Sequence, residues 1–120
     1  MKIVVGGALN KIENARLIEQ YGEGKVTVDI MPDLQAAMAL KAGQADYYFG
    51  SCQTGAGGAL GMAIAMNGMD KCLTVAMVGK VLDDDEILKA VAEGKKAFGF
   101  VPEAAASVIP VIMRGILEHE

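Results

Sequence analysis

The chain has few aromatic residues: three Phe, three Tyr and no Trp, 5% of the sequence. Single-strand binders stack bases on aromatic faces interleaved with basic residues, and that pattern is missing. A basic excess is missing as well. Eleven Lys and Arg stand against fifteen Asp and Glu, for a formal net charge of −4. Neutralising phosphates takes a basic face, so nucleic acid is excluded as a partner. Two cysteines, Cys52 and Cys72, are too few for a disulfide scaffold. The one histidine, His119, stands next to the end, so no zinc constellation can form. Neither a metal nor a cofactor is expected. Long apolar runs are also lacking. Tyr47 to Met69 carries no charge but is interrupted by Gly, Ser, Gln, Thr and Asn. Its continuous apolar-plus-glycine part, Gly55 to Met66, falls short of the ~20 residues of a bilayer span. Met1-Lys2-Ile3-Val4-Val5-Gly6-Gly7 is too short for a signal peptide and reads as a first strand. The expectation is a cytoplasmic protein with reduced thiols and no membrane partner.

What is present is aliphatic. Apolar residues make up 52% of 120 positions, enough for one domain, residues 1–120, with a core of Val, Ile, Leu, Met and Ala. The eight Met spread through helical patterns read as core filling. Near-continuous apolar runs at Lys2–Val5, Lys25–Ile30, Asp46–Phe49, Leu73–Val78 and Ala97–Phe100 read as strands buried on both faces. Helical patterns alternate with them. Asn10 and Glu13 match a capping box ahead of Ile12, Ala15 and Ile18. Pro32-Asp33 opens a second helix and Gly43 closes it. Asp83 to Glu86 sets negative charge at the positive end of another helix, a better reading than a cation site. Pro110 should kink or divide the last helix. The expected fold is α/β: a three-layer, doubly wound, Rossmann-like or flavodoxin-like sheet, five-stranded and mostly parallel, with helices on both faces.

Such sheets bind ligands beyond the carboxyl ends of their strands, at the switch point. With strand order 2-1-3-4-5, that point lies between Gly6-Gly7-Ala8-Leu9-Asn10 and the loop after the third strand, with Val78-Gly79-Lys80 beside them. The loop is Gly50-Ser51-Cys52-Gln53-Thr54-Gly55-Ala56-Gly57. Its glycines let main-chain N–H groups approach a ligand, and the following helix adds unsatisfied donors and a positive dipole end. This makes an anion cradle for a phosphate, a carboxylate or an enolate oxygen. The candidate ligand-binding residues are Gly6, Gly7, Asn10, Gly50, Ser51, Gln53, Thr54, Gly55, Ala56, Gly57 and Lys80. Cys52 sits where the dipole lowers a thiol pKa and is the candidate catalytic base. The alternative is a tight strand-to-helix turn with Cys52 as a small buried hydrophobe. A nucleotide site is not indicated. The loop lacks the Lys-Ser/Thr ending of a P-loop, and no Gly-x-Gly-x-x-Gly follows the first strand.

Gly57, Gly61 and Ala65 fall on one face of the next helix, and Leu60, Met62, Ile64 and Met66 cover the others. A helix apolar all round must be buried all round. Either a subunit interface or the monomer core can bury it. The interface reading predicts a homodimer or higher homo-oligomer.

Two resemblances sharpen this. Ala36-Ala37-Met38, Lys41-Ala42-Gly43-Gln44, Asp46-Tyr47-Tyr48, Cys52-x-Thr54-Gly55-Ala56-Gly57, Ala92-Glu93-Gly94-Lys95 and Ala97-Phe98-Gly99 make the whole chain resemble the YhfU-like family of small bacterial proteins. The middle third, Cys52-Gln53-Thr54-Gly55-Ala56 followed by Gly61-Met62-Ala63-Ile64-Ala65-Met66-Asn67, is similar to ribose-5-phosphate isomerase B and the galactose-6-phosphate isomerase subunits. That resemblance implies a Rossmann-like fold and dimers or higher oligomers with active sites between subunits. It also implies aldose–ketose interconversion through an enediolate. Cys52 would match the proton-abstracting cysteine, and the backbone around Thr54, Gly55 and Gly57 the oxyanion cradle. This chain departs from those isomerases at Gln53, which replaces a loop glycine. Gly6-Gly7-Ala8-Leu9-Asn10 stands where they carry Asp-His. Its two arginines, Arg16 and Arg114, do not match their phosphate grip.

Two functions follow as expectations. One is a protein that binds a small phosphorylated or carboxylated metabolite at residues 50–57, with isomerase-type proton transfer by Cys52 if it is an enzyme. The other is a non-catalytic oligomeric accessory or assembly protein of a metabolic operon.

Overall fold

A computed structural model describes residues 1–55 and 57–119. The elements run β1 (Lys2–Gly7), α1 (Lys11–Tyr21), β2 (Thr27–Ile30), α2 (Asp33–Lys41), β3 (Tyr47–Ser51), α3 (Gly57–Asn67), β4 (Cys72–Met77), β5 (Lys80–Val81), α4 (Asp84–Ala92), β6 (Ala97–Phe100) and α5 (Ala105–Glu118). They form one sheet in the order β2-β1-β3-β6-β4-β5. All pairings are parallel except β4 with β5.

The α/β, doubly wound class is as expected, but the strand count and order are not. The sixth strand is a two-residue return, Lys80–Val81, made by the turn at Val78-Gly79. Two exposed residues carry no apolar periodicity to detect. The expected order 2-1-3-4-5 is corrected at its far side, where the Ala97–Phe100 strand lies inside the Cys72–Met77 strand. The reason is burial. All four residues of β6 are buried, while β4 is partly open and ends exposed. The central place goes to the strand apolar on both faces.

Side chains alternate across the sheet with period two. Ile3, Val5, Tyr47, Phe49, Phe98 and Phe100 pack against α1, α4 and α5. Val4, Tyr48 and Ala97 face α2 and α3, which offer mostly alanine: Ala36, Ala39, Ala59 and Ala63. The aromatic residues therefore thicken one core layer, and the other is thin. The thin side also carries a row of paired glycines, Gly6 with Gly50 and Gly50 with Gly99. A Cβ on Gly50 would stand 2.6 Å from the Ala59 carbonyl oxygen, and one on Gly99 2.6 Å from Leu60 Cγ. This row lets α3 lie directly on the sheet backbone.

Two helices, α1 and α5, differ from expectation. Asn10 precedes α1 with φ 63° and makes no side-chain cap, so the Asn10–Glu13 capping box does not form. Its amide instead donates to Asn14 Oδ1 at 2.9 Å. Asp83 and Glu86 do form a capping box at α4. Pro110 neither ends nor divides α5. The carbonyl it leaves without a helical partner belongs to exposed Ala106, while Val108, Ile109, Val111 and Ile112 anchor the helix to the core. Among the described residues, no helix is long and apolar enough to cross a membrane.

Candidate functional site

The loop after β3 is built around a sulfur atom. Cys52 is 6% exposed. Its Sγ accepts the Gly55 N–H at 3.3 Å and lies 3.4 Å from the Thr54 hydroxyl. Burial pushes the Cys52 thiol up, but hydrogen bonds from the Thr54 side chain and the Thr54, Gly55 and Gly58 backbone outweigh it and hold the thiol below its ordinary value. Cys72 shows the contrast. It stands at the start of β4, its Sγ donates to the Gly68 carbonyl at 3.5 Å, and burial raises its pKa. Donors decide the difference: hydrogen bonds to the charged form lower a pKa, whereas burial alone raises that of a thiol.

Each donor has a structural origin. Gly55 has φ +85°, and a Cβ there would collide with the Ala76 carbonyl oxygen. Its own carbonyl accepts the Thr74 hydroxyl at 3.3 Å, tying the loop to β4. Gly58 is delivered by α3, and a Cβ on it would stand 3.1 Å from Cys52 Cβ. The Cys52 N–H donates to the Phe100 carbonyl at 3.3 Å, so β6 holds the loop's base.

Ala8, Leu9, Cys52, Gln53, Thr54 and Gly58 line a hollow of about 320 Å³ beside the sulfur. Its far wall, the β1–α1 turn, is clamped by Ser51. The Ser51 carbonyl accepts the N–H groups of Ala8 at 2.9 Å and Leu9 at 3.0 Å. The Ser51 hydroxyl donates to the Leu9 carbonyl at 2.8 Å and accepts from Asn14 Nδ2 at 2.9 Å. Asn14 and Ser51 are both fully buried. Leaving one of them unpaired would cost about 1–3 kcal/mol, so the clamp is stiff.

The candidate residues separate accordingly. Cys52, Gln53 and Thr54 line the hollow, and Gly55 donates from beneath. Ser51 does not offer its hydroxyl to a ligand, because Leu9 and Asn14 occupy it. A Cβ on Gly6 would meet the Tyr48 ring and hydroxyl, and Gly50 sits under α3, so both serve packing. Gly7, at φ +79°, has no room for a side chain against Ser51. Asn10 turns toward Asn14, on the other side of Ala8. Gly57 is exposed on α3, and Lys80 is exposed on the edge hairpin, outside the hollow. Ala56 lies outside the described residues.

Four contributors had little or no signal. Asn14 is the polar member of a buried face, Asn14, Ala15, Leu17 and Ile18, whereas Ile12 is exposed. Gly58 looked like one more small residue. Tyr48 is fully buried, with its hydroxyl donating to the Ala59 carbonyl at 2.8 Å. Burial, followed by the charge of Asp33, raises the Tyr48 pKa. The Asp33 Oδ1 at the start of α2 is buried without a hydrogen-bond partner among the described residues.

The sequence matches, over residues 1–116, the family described as "Protein of unknown function DUF2620". The chain belongs to this family. Its curated relatives include "Uncharacterized protein YhfU" from Escherichia coli strain K12 and from Shigella flexneri. Both are 44% identical over 112 residues, covering 93% of this chain and 95% of theirs. The DUF2620 fold is shared with the type B ribose 5-phosphate isomerase of Trypanosoma brucei, at a TM-score of 0.65 and 16% identity, covering 96% of this chain and 84% of that one. At that identity the likeness speaks for the fold alone.

The depressed Cys52 pKa has a consequence for stability. A group whose folded pKa lies below its unfolded value stabilises fully above the unfolded value, and the gain is lost as pH falls through the folded one. Cys72, with a raised pKa, works in the opposite sense, so the measurement uses a Cys72→Ala background. There the melting temperature should rise toward the ordinary thiol pKa more than it does with Cys52→Ser added. Parallel pH profiles would contradict the donor account.

Proposed function

We propose that the protein binds a small anionic carbonyl metabolite at the Cys52 hollow and moves a proton between neighbouring carbons, as an aldose–ketose isomerase does. The supporting observation is the donor set on the Cys52 sulfur. A thiol held below its ordinary pKa at the wall of an open hollow forms its thiolate more readily and is suited to act as a base. The thiolate takes a proton from the hydroxyl-bearing carbon beside the carbonyl; a C–H bond breaks, an S–H bond forms and an enediolate results. The hydroxyl proton passes to the former carbonyl oxygen, and the thiol returns its proton to the adjacent carbon, so the new S–H bond breaks as the new C–H bond forms, with no net redox change and no cofactor. Gln53 and Thr54 line the rim of the hollow. The fold shared with a ribose 5-phosphate isomerase supports the substrate class, a phosphorylated sugar or a similar hydroxy-carbonyl acid. A base that depends on a free thiol suits the reducing cytoplasm.

The direct test is solvent proton exchange. Ribose 5-phosphate and other short aldose phosphates in deuterium oxide should gain deuterium at the carbon next to the carbonyl, followed by NMR. Cys52→Ser should slow this by at least the ~100-fold typical of a removed acid–base group. Exchange at the wild-type rate in Cys52→Ser removes Cys52 from the mechanism.

A second reading, assembly, has its own observation. Within one chain, α3 buries Ala59, Leu60 and Ala63 but leaves Gly57, Gly58, Gly61, Met62 and Ala65 exposed, so the monomer core alone does not bury it all round. Leu34 and Met38 of the adjacent α2 are half exposed. Sheet and α2 cover only part of α3, because α5 packs on the opposite face. We assign this apolar face to a two-fold contact between copies of the chain. A Cβ on Gly61 meets nothing within 4 Å, so Gly61→Leu leaves the monomer fold intact. Light scattering should show it with half the wild-type mass. An unchanged mass would place the contact elsewhere.

A further inference from the structure

The glycine loop has little left for a ligand's anionic group. The Thr54 hydroxyl and the Thr54, Gly55 and Gly58 N–H groups converge on Cys52 Sγ. The group this cradle serves is the chain's own sulfur, in the thiolate form the proposed chemistry needs. A phosphate arriving there would compete for occupied donors and meet a like charge. Among the described residues, no cationic side chain lines the hollow, and Lys80 lies outside it.

A second hollow begins on the other side of Ala8. It has a volume of about 630 Å³ and is lined by Ala8, Asn10, Lys11, Glu13, Arg16 and neighbouring isoleucines. Ala8 is common to both hollows. Lys11 Nζ spends one hydrogen bond, on the Met31 carbonyl at 3.3 Å, out of three donors. Arg16 Nε reaches both Glu13 oxygens, at 2.6 and 3.2 Å, and Nη1 reaches Gln20 at 3.1 Å. Two cations and one carboxylate leave the hollow net positive. Glu13 occupies the side of the guanidinium that a phosphate would take in bidentate fashion.

We propose that Lys11 and Arg16 form the anion subsite of the same ligand. Its phosphate or carboxylate sits in the α1 hollow, Ala8 lies under its middle, and its carbonyl end meets Cys52. This rests on the proposed Cys52 chemistry and names the substrate class more closely: a hydroxy-carbonyl compound with its charged group at the end away from the carbonyl. Glu13 is the internal counter-charge that the ligand's anion displaces from Arg16. The hollow with more lysines, Lys41, Lys71 and Lys96, is a poorer anion partner for this site. It lies at the opposite ends of the strands, under the C-termini of α2 and α3, where unpaired carbonyls disfavour anions.

The test is titration with inorganic phosphate, ribose 5-phosphate and ribose, read by calorimetry. Wild type should bind both phosphorylated probes and bind ribose far more weakly. Lys11→Ala and Arg16→Ala should each weaken phosphate binding on the order of tenfold, as the loss of a charge-assisted contact does. Glu13→Gln should tighten it, while Cys52→Ser should retain it. All these side chains except Cys52 lie on the α1 surface, and unchanged melting temperatures verify folding. Phosphate binding that is absent from wild type, survives both cation variants, or is lost in Lys71→Ala instead overturns the subsite. The two proposals fail separately. Isotope exchange unaffected by Lys11→Ala sinks the subsite and spares the base. Phosphate binding at Lys11 and Arg16 without any exchange does the reverse.

Discussion

Everything at the candidate site depends on how closely α3 lies on the sheet. That approach is set by a row of glycines in register, Gly6, Gly50 and Gly99, across three neighbouring strands. A Cβ on either of the latter two would drive the helix outward. Interiors are packed too tightly to absorb such a shift freely. Because α3 sits so low, Gly58 at its start reaches Cys52 Sγ, and the Ala59 carbonyl receives the Tyr48 hydroxyl. The packing constraint and the chemistry of the sulfur are therefore one arrangement.

The donors gathered by that approach change what the loop is for. A glycine-rich turn before a helix is ordinarily read as a cradle for someone else's anion. Here the turn closes on its own side chain. For the base we propose, these donors favour the thiolate form before any ligand arrives, as preorganised donors should for a catalytic charge. The negative group of the proposed ligand would then be served by separate cations, Lys11 and Arg16, whose hollow shares Ala8 with that of Cys52.

How much of this was legible in the sequence varies by element. The βα alternation, the five parallel strands and the loop after β3 were visible in apolar runs and glycine punctuation. So was the Asp83 cap, where acid and helix start coincide. The two-residue β5 and the inward position of β6 were not, because strand order is decided by burial on both faces and not by local pattern. Asn10 matched a capping box, yet its left-handed backbone sends the amide to Asn14. Ser51 looked like a ligand donor, but a buried hydroxyl takes whatever partners the fold places nearest, here Asn14 and Leu9. Cys52 was identified from its place before a helix. The close N–H donors, and not a distant dipole alone, are what hold its pKa down.

The most direct measurement is the ionisation of Cys52 itself. In a Cys72→Ala background, the rate of iodoacetamide alkylation followed against pH reports the thiolate fraction. The expected midpoint lies below that of an unperturbed thiol, and it shifts upward when Thr54→Val removes the hydroxyl donor. A midpoint at or above the ordinary value, unmoved by Thr54→Val, would show that burial governs the sulfur and that the loop is a turn and nothing more.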